Sequence, residues 1–240
     1  MLSLLIKPLG LLIIPLYLYY YLTFIIRRYK KNKGEYLSRL IINHLLLMLL
    51  FLLIHLPFDM DLRFGWILDL YKYHIREFLG YSTANAFNLW GLVLGFNPVR
   101  DSTSFLNIPY LAWGIGFYFL GVLFILKYLT RTPSQSKIIM ALCLTAFSAF
   151  LFLTRMHERY MFLILLLLAP ISGLTNKLKR LSVFISIAFF LNLYHYWWVP
   201  KIDFLMTLMS NHLVEKILIL FNFYLLYNMY KVYVAMDKSK

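Results

Sequence analysis

The stretch "TRMHERY" at residues 154–160 crowds two guanidinium groups, an imidazole and a carboxylate between the apolar runs "KIIMALCLTAFSAFLFL" and "MFLILLLLAP". If a helix continues through it, Arg155 and Arg159 lie four apart on one face, Glu158 comes close to Arg155, and His157 turns elsewhere. Two such arginines at headgroup level can clamp a phosphate bidentately, with the carboxylate holding one of them in place. His157 adds a hydrogen bond or an acid–base group near neutral pH. A tight turn whose arginines snorkel to lipid phosphates uses the same residues. A second cluster, "YSTANAFNLWGLVLGFNP" at 81–98, offers the amides of Asn85 and Asn88 to sugar hydroxyls, or as caps to a short helix. Trp90 can stack on a sugar face or anchor at an interface.

These residues belong to a 240-residue chain that is 62% hydrophobic and 14% charged, with a mean hydropathy of +0.72. Soluble domains average about 45–50% apolar and about 25% charged. The composition therefore marks an all-α, polytopic integral membrane protein, because a bilayer core about 30 Å thick admits only segments that satisfy their own backbone amides. About seven spans are expected, near 8–26, 39–57, 107–129, 137–154, 160–175, 182–199 and 213–235. Tyr and Trp crowd several of their ends, as in "YLYYY" and "YHYWW". No linker, repeat or low-complexity tract divides residues 1–240, which read as a single transmembrane domain. The lone Cys143, inside an apolar run, leaves the redox compartment unreadable.

The formal charge of +14 does not point to nucleic acid, since the basic residues are dispersed between spans and build no basic face. The positive-inside rule accounts for them better. With "RRYKKNKGEYLSR" cytoplasmic, the Lys and Arg of 27–39, 127–137, 177–180 and the tail share that side. The other side holds fewer, Lys7, Arg63, Lys72, Arg76, Arg100, Arg155, Arg159 and Lys201, and most of the acids. The C-terminus is then cytoplasmic, and the 58–106 loop and "TRMHERY" both open to the extracytoplasmic face of the cell membrane. Within that loop, residues 61–79 read as an amphipathic interfacial helix: either a connector floating in the headgroup layer or a platform for a lipid-linked substrate. Met1 would lie outside with no signal peptide ahead of it, as if something upstream were missing.

Three blocks, "LLIKPLGLLIIPL", "ANAFNLWGLVLG" and "TRMHERYMFLILLLLAP", resemble in this order the C-terminal portion of bacterial GT-C superfamily glycosyltransferases related to the PIG-V type GPI mannosyltransferase. The resemblance spans most of residues 4–170, and the last 70 residues match only as apolar spans. It implies a multi-pass mannosyltransferase-like enzyme that moves a hexose from a polyprenyl-phosphate sugar donor to a glycan or lipid acceptor on the extracytoplasmic face. By carry-over, Arg155, His157, Glu158 and Arg159 lie near the donor phosphate, and Asn85, Asn88 and Trp90 line the sugar or acceptor side. Lys7 falls in the "KP" block with no assigned role. The family's acidic base, in a first outer loop, has no counterpart here, so the catalytic residue is unknown. The chain reads as a fragment, or as one part of a split enzyme whose N-terminal half is a separate polypeptide. Asp59, Asp61, Asp69 and Asp101 read as solvated loop acids. No cofactor is expected and no metal-ligand spacing is present, which leaves open whether a divalent metal assists. A lipid-linked glycan flippase or polymerase component, or a non-catalytic membrane subunit, is the alternative. Transport is disfavoured by spans whose centres are apolar apart from Asn43, His44 and Asn222.

Overall fold

The computed structural model describes residues 12–29, 33–55, 65, 69, 80–129 and 133–236. These are mostly helical, and residues 1–79 and 80–240 form two compact units. In the first unit, α1 (Ile14–Tyr29) packs on α2 (Lys33–His55), and the Tyr21 hydroxyl meets His44 Nε2 at 3.2 Å. His44 is thereby one of the few polar groups in an otherwise apolar helix face. Residues 41–50 expose their side chains throughout. Lys7, Asp59, Asp61 and, apart from Gly65 and Asp69, the expected interfacial helix at 61–79 lie outside the described residues.

The second unit is built around α5 (Gln135–Phe152), whose residues from Cys143 to Leu151 are all buried. Ser134 starts it by accepting a hydrogen bond from the Lys137 amide, an ordinary side-chain N-cap. Three helices pack on α5: α4 (Tyr110–Lys127), α6 (Phe162–Leu168) and α9 (His212–Ala235). Small residues allow the approach. A Cβ on Gly114 would stand 2.8 Å from the Phe152 carbonyl, so glycine is what lets α4 meet the end of α5. At the other end of α5, the buried Lys137 ammonium sits 4.9 Å from the Tyr233 ring, and the Tyr233 hydroxyl donates to the Ile125 carbonyl. The other α-helices among the described residues of this unit are α3 (Leu89–Leu94), α7 (Asn176–Trp197), which packs on α9, and α8 (Asp203–Met209).

Among the described residues, α4, α5 and α9 are long and apolar enough to cross a membrane, and Ile41–Leu50 is a shorter apolar stretch. Two-thirds of the α5 window is buried, against 22% for α4 and 28% for α9, so α5 is the core and the others turn apolar faces outward. Ile115, Phe119, Leu123, Leu213, Ile217, Leu220 and Tyr224 are all exposed, and apolar faces of this extent suit lipid better than water. The segment expected to span at 160–175 is not one α-helix. It runs as a 3-10 turn at Glu158–Met161, α6, and a second 3-10 turn at Ala169–Leu174. Pro170 has no amide to donate, and the tighter, longer-rise 3-10 geometry takes over around it.

Candidate functional site

Short strands join the two polar clusters. The backbone of β1 (Thr83–Ala84) pairs in parallel with β4 (Met156–His157), in register Thr83 to Met156 and Ala84 to His157. The Arg155 amide donates to the Tyr81 carbonyl at 3.1 Å, and residues 80–82 are laced to 99–101 on the other side. A separate antiparallel hairpin, β2 (Ser104–Phe105) with β3 (Ile108–Pro109), leads into α4. Of the two readings of 155–159, a continued helix is therefore not what forms: Met156–His157 are extended and a 3-10 turn begins at Glu158. Arg155 adopts φ +63, a left-handed conformation that costs a side-chain-bearing residue about 1–2 kcal/mol and here is fixed from both sides.

The two arginines of "TRMHERY" have different fates. Arg155 Nε and Nη2 donate to the two carboxylate oxygens of Asp101, and the Thr154 hydroxyl donates to Asp101 at 3.3 Å. Asp101, expected as a solvated loop acid, is only 3% exposed, because the turn at 99–101 folds it under the strand pair. The carboxylate holding Arg155 is thus Asp101, not Glu158. Arg159 is exposed and does not line the cleft described below, though its charge acts on its neighbour Glu158.

Asn88 and Trp90 act as fasteners. Asn88 Oδ1 accepts from the Trp90 and Gly91 amides, capping α3, while its Nδ2 donates to the Leu153 carbonyl at 3.5 Å. Trp90 Nε1 donates to the Phe152 carbonyl at 2.8 Å. Those carbonyls sit at the C-terminal end of α5, where a helix leaves acceptors without intrahelical donors. "NLW" thus closes two helix ends at once. The segment just before it is held by asparagines from two other helices. Asn192 on α7 accepts from the Phe87 amide and donates to the Asn85 carbonyl, and Asn222 on α9 donates to the Phe87 carbonyl. Non-helical backbone buried among apolar helices requires such partners.

What remains is an open cleft of about 280 Å³ lined by Tyr81, Asn85, Phe96, His157, Glu158 and Tyr196, among others. Of the seven residues expected at the site, it gathers Asn85, His157 and Glu158. Glu158 is 1% exposed, and its Oε1 has no hydrogen-bond partner, while Oε2 stands 3.9 Å from His157 Nδ1. Burial pushes its carboxyl above the ordinary value of 4.5, against the smaller opposing effects of its backbone hydrogen bond, the Arg159 charge and the Trp197 indole. Asn85, at φ +60, leaves Nδ2 buried without an acceptor. A buried carboxyl with a raised pKa beside an imidazole, under aromatic walls, can exchange protons with a bound hydroxyl.

Sequence reasoning missed one group behind this cleft. His195 Nδ1 lies 2.9 Å from Asn85 Oδ1, its Nε2 lies 2.9 Å from Glu215 Oε1, and Glu215 Oε2 is 2.9 Å from His212 Nδ1. The signal was present as His195 within "YHYWW" and Glu215 as an acid one turn into an apolar helix.

The fold and site together define a helical chain with lipid-suited outer faces and a small polar cleft where two loops meet. Compared with family models, curated proteins and solved structures, the chain matches none.

Proposed function

We propose that this chain is a membrane-embedded glycosyltransferase component of the GT-C type, whose cleft receives a hexose at the extracytoplasmic face. The observation that carries this reading is the joining of "ANAFNLW" and "MHERY" by one parallel strand pair into a single cleft. Both blocks belong to the resemblance, and residues 91–155 of the chain separate them. Tyr81, Phe96 and Tyr196 supply ring faces of the kind sugars stack on, and Asn85 and Glu158 supply polar atoms without partners. At about 280 Å³ the cleft lies just below the usual span of ligand sites, about 300–1,000 Å³, and suits one sugar better than a lipid chain.

The lining contains no Lys or Arg, and Arg155 is occupied by Asp101. The donor phosphate is therefore assigned to the rim beside Arg159, and the earlier expectation of a two-arginine grip narrows to one arginine. In the step proposed, the Glu158 carboxylate takes the acceptor hydroxyl proton. The acceptor oxygen forms its bond to the anomeric carbon as the bond from that carbon to the phosphate oxygen breaks. The polyprenyl phosphate leaves with the electron pair, its charge met by Arg159. The seven-span, C-terminus-inside topology is part of the same proposal.

The full chain in proteoliposomes, supplied with polyprenyl-phosphate [¹⁴C]mannose or glucose and membrane lipid extract as acceptor, tests it. Transfer should fall at least about a hundredfold in Glu158→Gln, the scale of a lost proton-transfer group. An unchanged rate in that variant would overturn the role of Glu158. Thiols placed at the exposed Ser102 and Arg159 in a Cys143→Ala chain should both react with an impermeant reagent on intact cells; reaction only after lysis would overturn the topology.

A further inference from the structure

The oxygen and nitrogen of a side-chain amide can exchange places, and the hydrogens of the neighbours decide which way it sits. With Asn85 Oδ1 placed 2.9 Å from His195 Nδ1, Nδ2 is left as a buried donor with no acceptor, on a residue that lines the cleft. Whether that placement can stand depends on where the His195 ring carries its hydrogen.

His195 Nε2 lies 2.9 Å from Glu215 Oε1, and the second oxygen of the same carboxylate lies 2.9 Å from His212 Nδ1. A carboxylate only accepts, so the hydrogen on the first line belongs to Nε2. A neutral imidazole has one such hydrogen, and Nδ1 is then bare. A bare Nδ1 against Oδ1 sets two lone pairs face to face at 2.9 Å, whereas against Nδ2 it receives a hydrogen bond. Turning the amide over therefore removes a repulsion and an orphaned donor in one move. It leaves Oδ1 on the cleft side, and a buried acceptor lacking a partner is better tolerated than a buried donor lacking one. The ring is clasped by Phe87, Phe96 and Trp198, with centroids 4.9–5.7 Å away, so it cannot rotate to another partner. The Asn85 backbone is held separately, its carbonyl accepting from Asn192 Nδ2 at 2.8 Å, so only the side chain need turn.

We infer that the Glu215 carboxylate, acting through His195, orients the Asn85 amide with Oδ1 toward the cleft, making Asn85 a specificity-determining acceptor that selects a ligand by a hydroxyl hydrogen. As a carboxylate, Glu158 offers the cleft a second acceptor in Oε1. A ligand with two hydroxyls to donate is thus favoured over one that presents only ether or carbonyl oxygens. That the hydroxyls belong to a hexose rests on the proposed function, but the direction of the amide does not.

Two measurements separate these. In the unliganded full chain in detergent at about pH 8, above the ordinary imidazole range, ¹⁵N-histidine spectra should show the His195 hydrogen on Nε2 and Nδ1 bare, with His195→Gln to assign the signal. Glu215→Gln, whose amide can either accept from Nε2 or donate to it, should give a mixture of the two tautomers. A hydrogen on Nδ1 in the wild-type chain, or a ring unchanged in Glu215→Gln, would overturn the inference. The second measurement is saturation-transfer NMR with methyl hexopyranosides and their monofluoro-deoxy analogues, in which the fluorine that replaces a hydroxyl cannot donate. At the position facing Asn85 the fluorine should weaken binding about threefold to tenfold, the scale of one hydrogen bond. That penalty should shrink in Glu215→Gln, where the amide is free to turn. The absence of a penalty at every position, or penalties that Glu215→Gln leaves unchanged, would overturn the acceptor role. No saccharide binding by the wild-type chain would sink the proposed function instead, and the ring spectra would decide the direction of the amide alone.

Discussion

At one end of β4, Asp101 holds the Arg155 guanidinium through both carboxylate oxygens and takes a further hydrogen bond from Thr154. At the other end, three residues along, Glu158 is equally buried but keeps one oxygen with no partner, and it lines the same cleft as Asn85, whose Nδ2 is likewise without one. The first cluster is complete within the protein and serves to hold a left-handed turn. The second is completed only by something that enters. Buried polar atoms are nearly always partnered, so the incomplete cluster is where a ligand is expected and the complete one is where it is not.

The sharpest way to break this contrast is Asp101→Ala. It removes the Asp101 carboxylate from Arg155 and releases the turn, and should cost about 3 kcal/mol of stability, the low end for breaking a buried pair because the Arg155 side chain is a quarter exposed. Thermal unfolding in detergent checks it; a loss under about 1 kcal/mol would mean the pair is not structural. Asn88→Ala removes the cap of α3 and a donor to the end of α5, and should cost about 1–2 kcal/mol in the same measurement. Glu158→Gln should behave oppositely. Because the native carboxyl keeps its proton to higher pH than the unfolded one, the wild-type chain loses stability as pH rises from about 4.5 through the raised native value. The glutamine variant should lack that decline, and a matching decline in both chains would remove Glu158 as its source. Arg159→Ala, at an exposed position, should leave stability within about 0.5 kcal/mol while lowering sugar transfer. Equal losses of stability and transfer would make Arg159 structural.

The helices were legible in the sequence because long apolar runs determine them locally. The spans expected at 107–129, 137–154 and 213–235 appear as α4, α5 and α9 with ends shifted by a few residues. The region around "TRMHERY" was not legible as a shape. Its residues carry ordinary helix-compatible side chains, and what holds Arg155 to His157 extended is backbone pairing with Tyr81 to Ala84, more than 70 positions away. For the same reason the partner of Arg155 was misjudged: Glu158 is near in sequence, but Asp101 is near in space. Asn85, His157 and Glu158 were singled out by residue type and line one cleft, but the sequence grouped His157 and Glu158 with the arginines and Asn85 apart from them. The cap that Asn88 gives α3 was among the readings its residue type allowed, whereas its bond to Leu153 and that of Trp90 to Phe152 became readable only once the α5 terminus was seen beside them. His195 escaped because an imidazole among aromatic rings at a helix end looks like one more interfacial side chain until its acidic neighbour is known.

Phe87 presents its amide to one long helix and its carbonyl to another. Its backbone is tied to α7 through the N–H and to α9 through the carbonyl. A sliding of those two columns past each other would load these two bonds together with the His195–Glu215 contact that also links them. The residues on either side, Asn85 and Trp90, would register that movement as a change in the shape of the cleft and in the closure of α5.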